Sequence, residues 1–148
     1  MTAPIILKVA RDIAAPPEAV FDAWLDPARA GKFLFATPDG EMTKVEIDAH
    51  VGGRALIVER RAAGDAHHRL KYEVIDRPHR LVFLFAADPA GEGAWTRVTI
   101  DIVPRGAGAT VTLTHEMDPQ WAAYEEQTRH GWTMILDSLA RITEKQDG

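Results

Sequence analysis

The sequence predicts an α+β domain: seven antiparallel strands forming a curved sheet around one long C-terminal helix. Three observations predict it. Residues 119–145 carry an apolar stripe at helical spacing; residues 42–117 hold six short strand-like stretches separated by turn residues, with a seventh at 5–13; and the two kinds of pattern are segregated along the chain. Segregated strands and helices indicate an α+β arrangement and not a doubly wound sheet.

The long helix begins where Asp118 can cap the first amides and Pro119 suits the first helical position. Trp121, Tyr124, Thr128, Trp132, Ile135, Leu136, Leu139 and Ile142 share one stripe, with Glu126, Arg129, Thr133, Asp137, Arg141 and Glu144 outside it. Glu125 is the exception, a carboxylate within the stripe. At roughly 1.5 Å per residue the helix would span about 40 Å, long enough to cross a small domain. Gly131 inside it marks a bend or a close approach.

In chain order, Ile5, Leu7, Val9 and Ile13 give a half-buried first strand. Ala15-Pro16-Pro17-Glu18 opens a short helix with Val20, Phe21, Trp24 and Leu25 on its apolar face. Asp26-Pro27 ends it and starts a second short helix, through about Lys32. Phe33-Leu34-Phe35 follows, and Thr37-Pro38-Asp39-Gly40 reads as a loop. The meander then runs Met42–Val51, Arg54–Arg61, His67–Asp76, Leu81–Ala86, Trp95–Val103 and Ala109–Met117. Its separators are Gly52-Gly53, Ala63-Gly64-Asp65, Arg77-Pro78, Asp88-Pro89-Ala90-Gly91-Glu92-Gly93 and Arg105-Gly106-Ala107-Gly108. A strongly twisted sheet of this size curls, and the long helix fills its hollow.

The 148 residues form one domain, 1–148, large enough to bury a core. A hydrophobic fraction of 46% and a charged fraction of 26% are those of a globular protein. The net charge of −5 argues against nucleic acid as a partner. No apolar run approaches the roughly 20 residues of a membrane span. The start of the chain lacks the features of a signal peptide. With no cysteine there is neither a disulfide framework nor a thiol nucleophile, and a cytoplasmic location fits all of these features.

Strand parity selects the residues that face the helix. On the last strand Val111 and Leu113 point inward, so His115 and Met117 share that face; His68 lies with Leu70, Tyr72 and Val74. Trp132, Leu136 and Trp121 would face them from the helix, and Phe35 would close the mouth. These eight residues (Trp132, His115, Tyr72, His68, Leu136, Phe35, Met117 and Trp121) are the cavity candidates. Inward polar groups near a sheet's end are where a pocket fixes a ligand's polar atoms. His115 could act as acid, base or donor near neutral pH, although a strand-terminal histidine is more often solvated or bonded to a carbonyl. No metal site is expected: His67 and His68 point to opposite faces, and so do His115 and Glu116. No phosphate-binding loop, cofactor motif or nucleophile–base order stands out, so the sequence assigns no catalytic residue. Arg60, Arg61, Arg69, Lys71, Arg77 and Arg80 read as a solvated basic face.

Fragments along nearly the whole chain resemble one family. Residues 11–27 look like an opening signature, and Val51-Gly52-Gly53-Arg54, Tyr72-Glu73-Val74, Arg80-Leu81-Val82-Phe83, Thr110-Val111-Thr112-Leu113-Thr114-His115 and Gly131-Trp132 continue it. Together they resemble the START-like (SRPBCC) helix-grip superfamily and, within it, the heat-shock-protein-90 ATPase activator type. One departure is Lys32-Phe33-Leu34-Phe35, where that family often carries tryptophan.

The resemblance implies a pocket between long helix and sheet for an apolar or amphipathic small molecule, without a cofactor. Two other functions fit the same superfamily: an enzyme of the polyketide-cyclase or hydrolase kind using that pocket, and a co-chaperone-like module acting on a chaperone ATPase. A homodimer through Phe33-Leu34-Phe35 is one assembly the sequence allows.

Overall fold

The computed structural model describes residues 4–35, 40–62, 64–87 and 95–146. The expected loops at Thr37-Pro38-Asp39 and Asp88–Gly93 lie outside the described residues, as do Ala63 and the side chain of Trp121. Strand β1 (Ile5–Ile13) leads into helices α1 (Pro17–Leu25) and α2 (Pro27–Phe33). Strands β2 (Glu41–Ile47), β3 (Arg54–Arg61), β4 (Gly64–Asp76), β5 (Arg80–Ala87), β6 (Thr96–Arg105) and β7 (Gly108–Met117) follow. A 3-10 turn (Pro119–Tyr124) then precedes helix α3 (Glu125–Gln146). All seven strands form one antiparallel sheet in the order β1-β7-β6-β5-β4-β3-β2. The chain order, the two short helices and the sheet are those the sequence predicts.

Helix α1 starts on Pro17, and the Asp26 side chain caps α2 by accepting from the Ala28 amide at 3.0 Å. Trp24 packs edge-on against Phe33 with ring centres 5.1 Å apart and also contacts Phe83, so both short helices seal one end of the interior. Arg77 binds the Asp22 carboxylate with two hydrogen bonds, of 2.7 and 2.9 Å, tying α1 to the β4–β5 turn. That bonding lowers the Asp22 pKa below its ordinary value. From α3, Trp132, Ile135, Leu136, Leu139 and Ala140 are buried against the concave face.

Four expectations need correction. The long helix is not continuous from Pro119: its first six residues form a tighter 3-10 turn, and Tyr124, placed in the apolar stripe, is 52% exposed. Glu125 then opens α3 half-buried and pairs with Arg129 at 3.4 Å, which satisfies a carboxylate inside an apolar stripe. The second strand stops at Ile47, because Asp48 to Gly53 fold into hydrogen-bonded turns that leave Val51 in solvent. On β4 a bulge between Tyr72 and Val74 shifts the parity; Val74 is 38% exposed and Ile75 packs against the core instead. The basic face is also not uniform: Arg77 and Arg80 are paired with Asp22 and Asp101, and Arg61 turns toward the concave side.

Gly53 closes the β2–β3 turn where the backbone has no room for a side chain. A Cβ built there would lie 2.2 Å from the Asp48 carbonyl oxygen. Its carbonyl accepts from Tyr72 at 3.0 Å, so the loop cannot simply move away. Gly53→Ala is therefore expected to cost about 1–3 kcal/mol by overpacking, read as a lower urea midpoint at unchanged slope. A variant as stable as the unaltered chain would mean that the turn relaxes freely.

Candidate functional site

Among the described residues four polar side chains are buried: Glu59, His68, His115 and Thr143. Thr143 satisfies itself by donating to the Leu139 carbonyl one turn back along α3. His68 and His115 lie among aromatic rings, and Glu59 stands on β3 two residues beyond Ile57, the residue that pairs with His68. Their clustering defines the candidate site.

His115 sits on β7, opposite Val98 of β6, and is 4% exposed. The Trp132 indole N–H donates to its Nδ1 at 3.0 Å, so Nδ1 carries a lone pair and the ring proton resides on Nε2. Nε2 lies 2.7 Å from the Thr96 hydroxyl, which itself donates to the Phe85 carbonyl at 3.3 Å. Every donor in this chain has an acceptor, and the imidazole is fixed as one neutral tautomer. Burial pushes its pKa down to about 4. A base with both nitrogens engaged has no free lone pair for a substrate proton.

His68 on β4 is held separately. Its Nδ1 donates to the Ile57 carbonyl at 3.2 Å, across the β3–β4 ladder. The Phe35 ring stacks on its face with centres 4.2 Å apart and planes 3° apart. Phe35 also stacks against Phe85 at 5.0 Å and meets Trp132 at 5.8 Å, while Trp132 meets Phe85 at 6.0 Å. The Phe35 ring thus fills the space bounded by His68, Phe85 and Trp132.

Phe35 follows α2 with φ of 62°, the left-handed region that a bulky residue rarely adopts. Holding it there costs about 1–3 kcal/mol, against about 1.5–3 kcal/mol gained by burying the ring. The two nearly balance. One further bond holds it: Arg61 donates from Nη2 to the Phe35 carbonyl at 3.2 Å. The same guanidinium binds the Glu59 carboxylate through Nε at 2.5 Å. Glu59 is 1% exposed, an inward acid neutralised by its neighbour two residues on.

Of the eight predicted site residues, His68, Phe35, His115 and Trp132 are brought together here. Leu136 is buried one turn further along α3, and Met117 is buried at the end of β7. Tyr72 lies toward the opposite, apolar end against Phe83; burial raises the pKa of its hydroxyl, with the charge of Asp48 adding to the effect. Four members are not among the predicted site residues: Phe85, Thr96, Glu59 and Arg61, the last read from the sequence as part of a solvated basic face. Parity on β3 was the available signal for Glu59 and Arg61, since both alternate in step with the buried Ala55 and Ile57.

A surface hollow of about 410 Å³ lies beside the cluster, bounded by Pro4, Leu84, Thr96, Arg97, Met117 and Asp118 among others. It shares Thr96 with the His115 chain and so approaches that chain from outside. Among the described residues no three histidine or carboxylate side chains gather as a metal ion would need. No described helix is long and apolar enough to cross a membrane.

Comparisons with known proteins agree with this architecture. A family model described as activator of Hsp90 ATPase homolog 1-like protein matches residues 14–144. The crystal structure of a Chromobacterium violaceum protein superposes with a TM-score of 0.82 at 27% identity, over 94% of this chain and 96% of that one. The solution structure of an AHSA1-like protein from Aeromonas hydrophila gives a TM-score of 0.81 at 23% identity, over 97% and 94%. The solution structure of the Aha1 dimer from Colwellia psychrerythraea gives a TM-score of 0.75 at 16% identity, over 97% and 99%. No curated protein matches the sequence significantly.

Proposed function

The chain belongs to the family of activator of Hsp90 ATPase homolog 1-like proteins, and from that premise we propose that it binds an apolar or amphipathic small molecule between α3 and the concave face of the sheet. One observation carries this reading: the buried polar side chains of His68 and His115 stand among Phe35, Phe85 and Trp132, with buried Glu59 joined to them through Arg61, in a largely apolar interior. A purely structural core has no need to concentrate costly buried polar groups in one place. A ligand site does, because a few polar atoms set orientation while rings supply the contact area.

Binding is favoured over acid–base chemistry. His115 is neutral and fully engaged, and the Glu59 carboxylate is tied to Arg61. Neither offers the unoccupied proton acceptor that a cyclase or hydrolase step requires.

The test is thermal denaturation with apolar and amphipathic probes, naphthalene and decanoate being suitable. A binding probe should stabilise by about 2.7 kcal/mol at 100 times its Kd. Melting temperatures unmoved by any probe up to the millimolar range would refute the reading. The chaperone alternative has its own direct check, co-purification with an Hsp90-type ATPase.

A further inference from the structure

The Phe35 ring fills the space among His68, Phe85 and Trp132. We propose that it is a removable plug, holding the slot of a neutral planar aromatic molecule that carries a hydroxyl or carbonyl oxygen. This inference rests on the binding reading above and specifies its ligand.

The walls and the plug are held differently. His68 is fixed by its bond to the Ile57 carbonyl, and Trp132 by its bond to His115. Phe85 is paired within β5 to Thr96 and Leu70. Phe35 alone enters from the end of a helix, with its backbone in the left-handed region. Its near-parallel packing on both His68 and Phe85, at 3° and 12°, outlines a flat-floored slot: those two rings, with centres 6.2 Å apart, are neighbours that form its floor, and Trp132 stands along one side. Such a slot suits a planar ring and not a flexible alkyl chain.

Arg61 supplies the polar preference. While the plug is in place its Nη2 donates to the Phe35 carbonyl. When the plug leaves, that partly exposed donor is released, and an oxygen on the rim of the incoming ring takes the place of the carbonyl. A neutral oxygen is favoured over a carboxylate because Glu59 already shares the guanidinium at 2.5 Å from Nε. A second anion there would face the Glu59 carboxylate, whose side chain is 1% exposed, across a short distance.

Titration calorimetry with 2-naphthol, 2-naphthoate and naphthalene tests this. Phe35→Gly removes both the ring and the backbone strain. It should bind 2-naphthol about tenfold more tightly than the unaltered chain, which must first expel its plug. The unaltered chain should prefer 2-naphthol over both other probes, and Glu59→Gln combined with Arg61→Gln should erase its preference over naphthalene. In the unaltered chain, saturating 2-naphthol should abolish the nuclear Overhauser contacts between the Phe35 ring and those of His68 and Trp132. Their persistence at saturation would overturn the plug, whatever the variants do. Equal affinities for the unaltered chain and Phe35→Gly would also overturn it while leaving the binding reading intact. Absence of binding by all three probes to either protein would overturn the plug, and the binding reading would fall with it only if decanoate too leaves the melting temperature unmoved.

Discussion

Replacing Trp132 by alanine is expected to destabilise the fold by about 3–5 kcal/mol, on the order of 10 °C in melting temperature. Two losses combine. The indole is 3% exposed and packs edge-on against Phe85 and His115 and tilted against Phe35, so its removal opens a large cavity beneath α3. It also removes the donor to His115 Nδ1, leaving a buried acceptor without a partner. Trp132→Phe separates the two, since it keeps most of the ring packing but not the N–H. That variant should lose about 1–3 kcal/mol by itself. Combining it with His115→Phe should cost less than the sum of the single changes, because residues in one hydrogen-bonded chain are coupled. Urea unfolding measures the four variants against the unaltered chain. Strictly additive losses, or a Trp132→Ala variant within about 1 kcal/mol of the unaltered chain, would contradict the described geometry.

Much of this architecture is written in period and parity. Val111, Leu113, His115 and Met117 alternate without interruption, and the structure buries all four. Trp132, Leu136 and Leu139 recur at helical spacing and are buried together. The features that escaped depend on something other than a residue's own strand or helix. The bulge that exposes Val74 arises from register with β5, which no local pattern records. Phe85 sits in a wholly apolar stretch, Leu81 to Ala86, where alternation gives no direction. Glu59 was obscured because Leu56 and Val58, on the opposite parity, look like the buried set. The left-handed backbone of Phe35 is the least legible of all, since sequence signals for that conformation are glycine and asparagine. The candidate site was thus half visible: its histidines by parity, Trp132 by helical spacing and Phe35 by its place after the second short helix, whereas Phe85, Thr96 and the joining of Glu59 to Arg61 emerge only from tertiary contact.

Acidification should weaken the fold through His115 in a defined window. In the unfolded chain this imidazole takes up a proton near pH 6.5, whereas in the fold burial holds its pKa at about 4. Between those values the unfolded state binds a proton that the native state refuses. Stability from this group is therefore complete above pH 6.5 and falls by up to about 1.4 kcal/mol per pH unit below it. The loss approaches about 3 kcal/mol by pH 4 and then levels off. Geometry explains the refusal: a protonated His115 would point an Nδ1–H at the Trp132 N–H, donor against donor, and the flanking Thr96 and Phe85 offer no charge to compensate. Asp12 and Asp22 also contribute to acid sensitivity, but their pKa values are lowered from 3.8 by bonds from Thr110 and Arg105 and from Arg77 respectively, so their stabilisation is lost below this window. His115→Gln can keep an acceptor for Trp132 and a donor for Thr96 without titrating. Unfolding free energies measured in urea from pH 7 to 4 should fall less steeply for that variant than for the unaltered chain. Parallel curves would mean that His115 is not the buried neutral group described here.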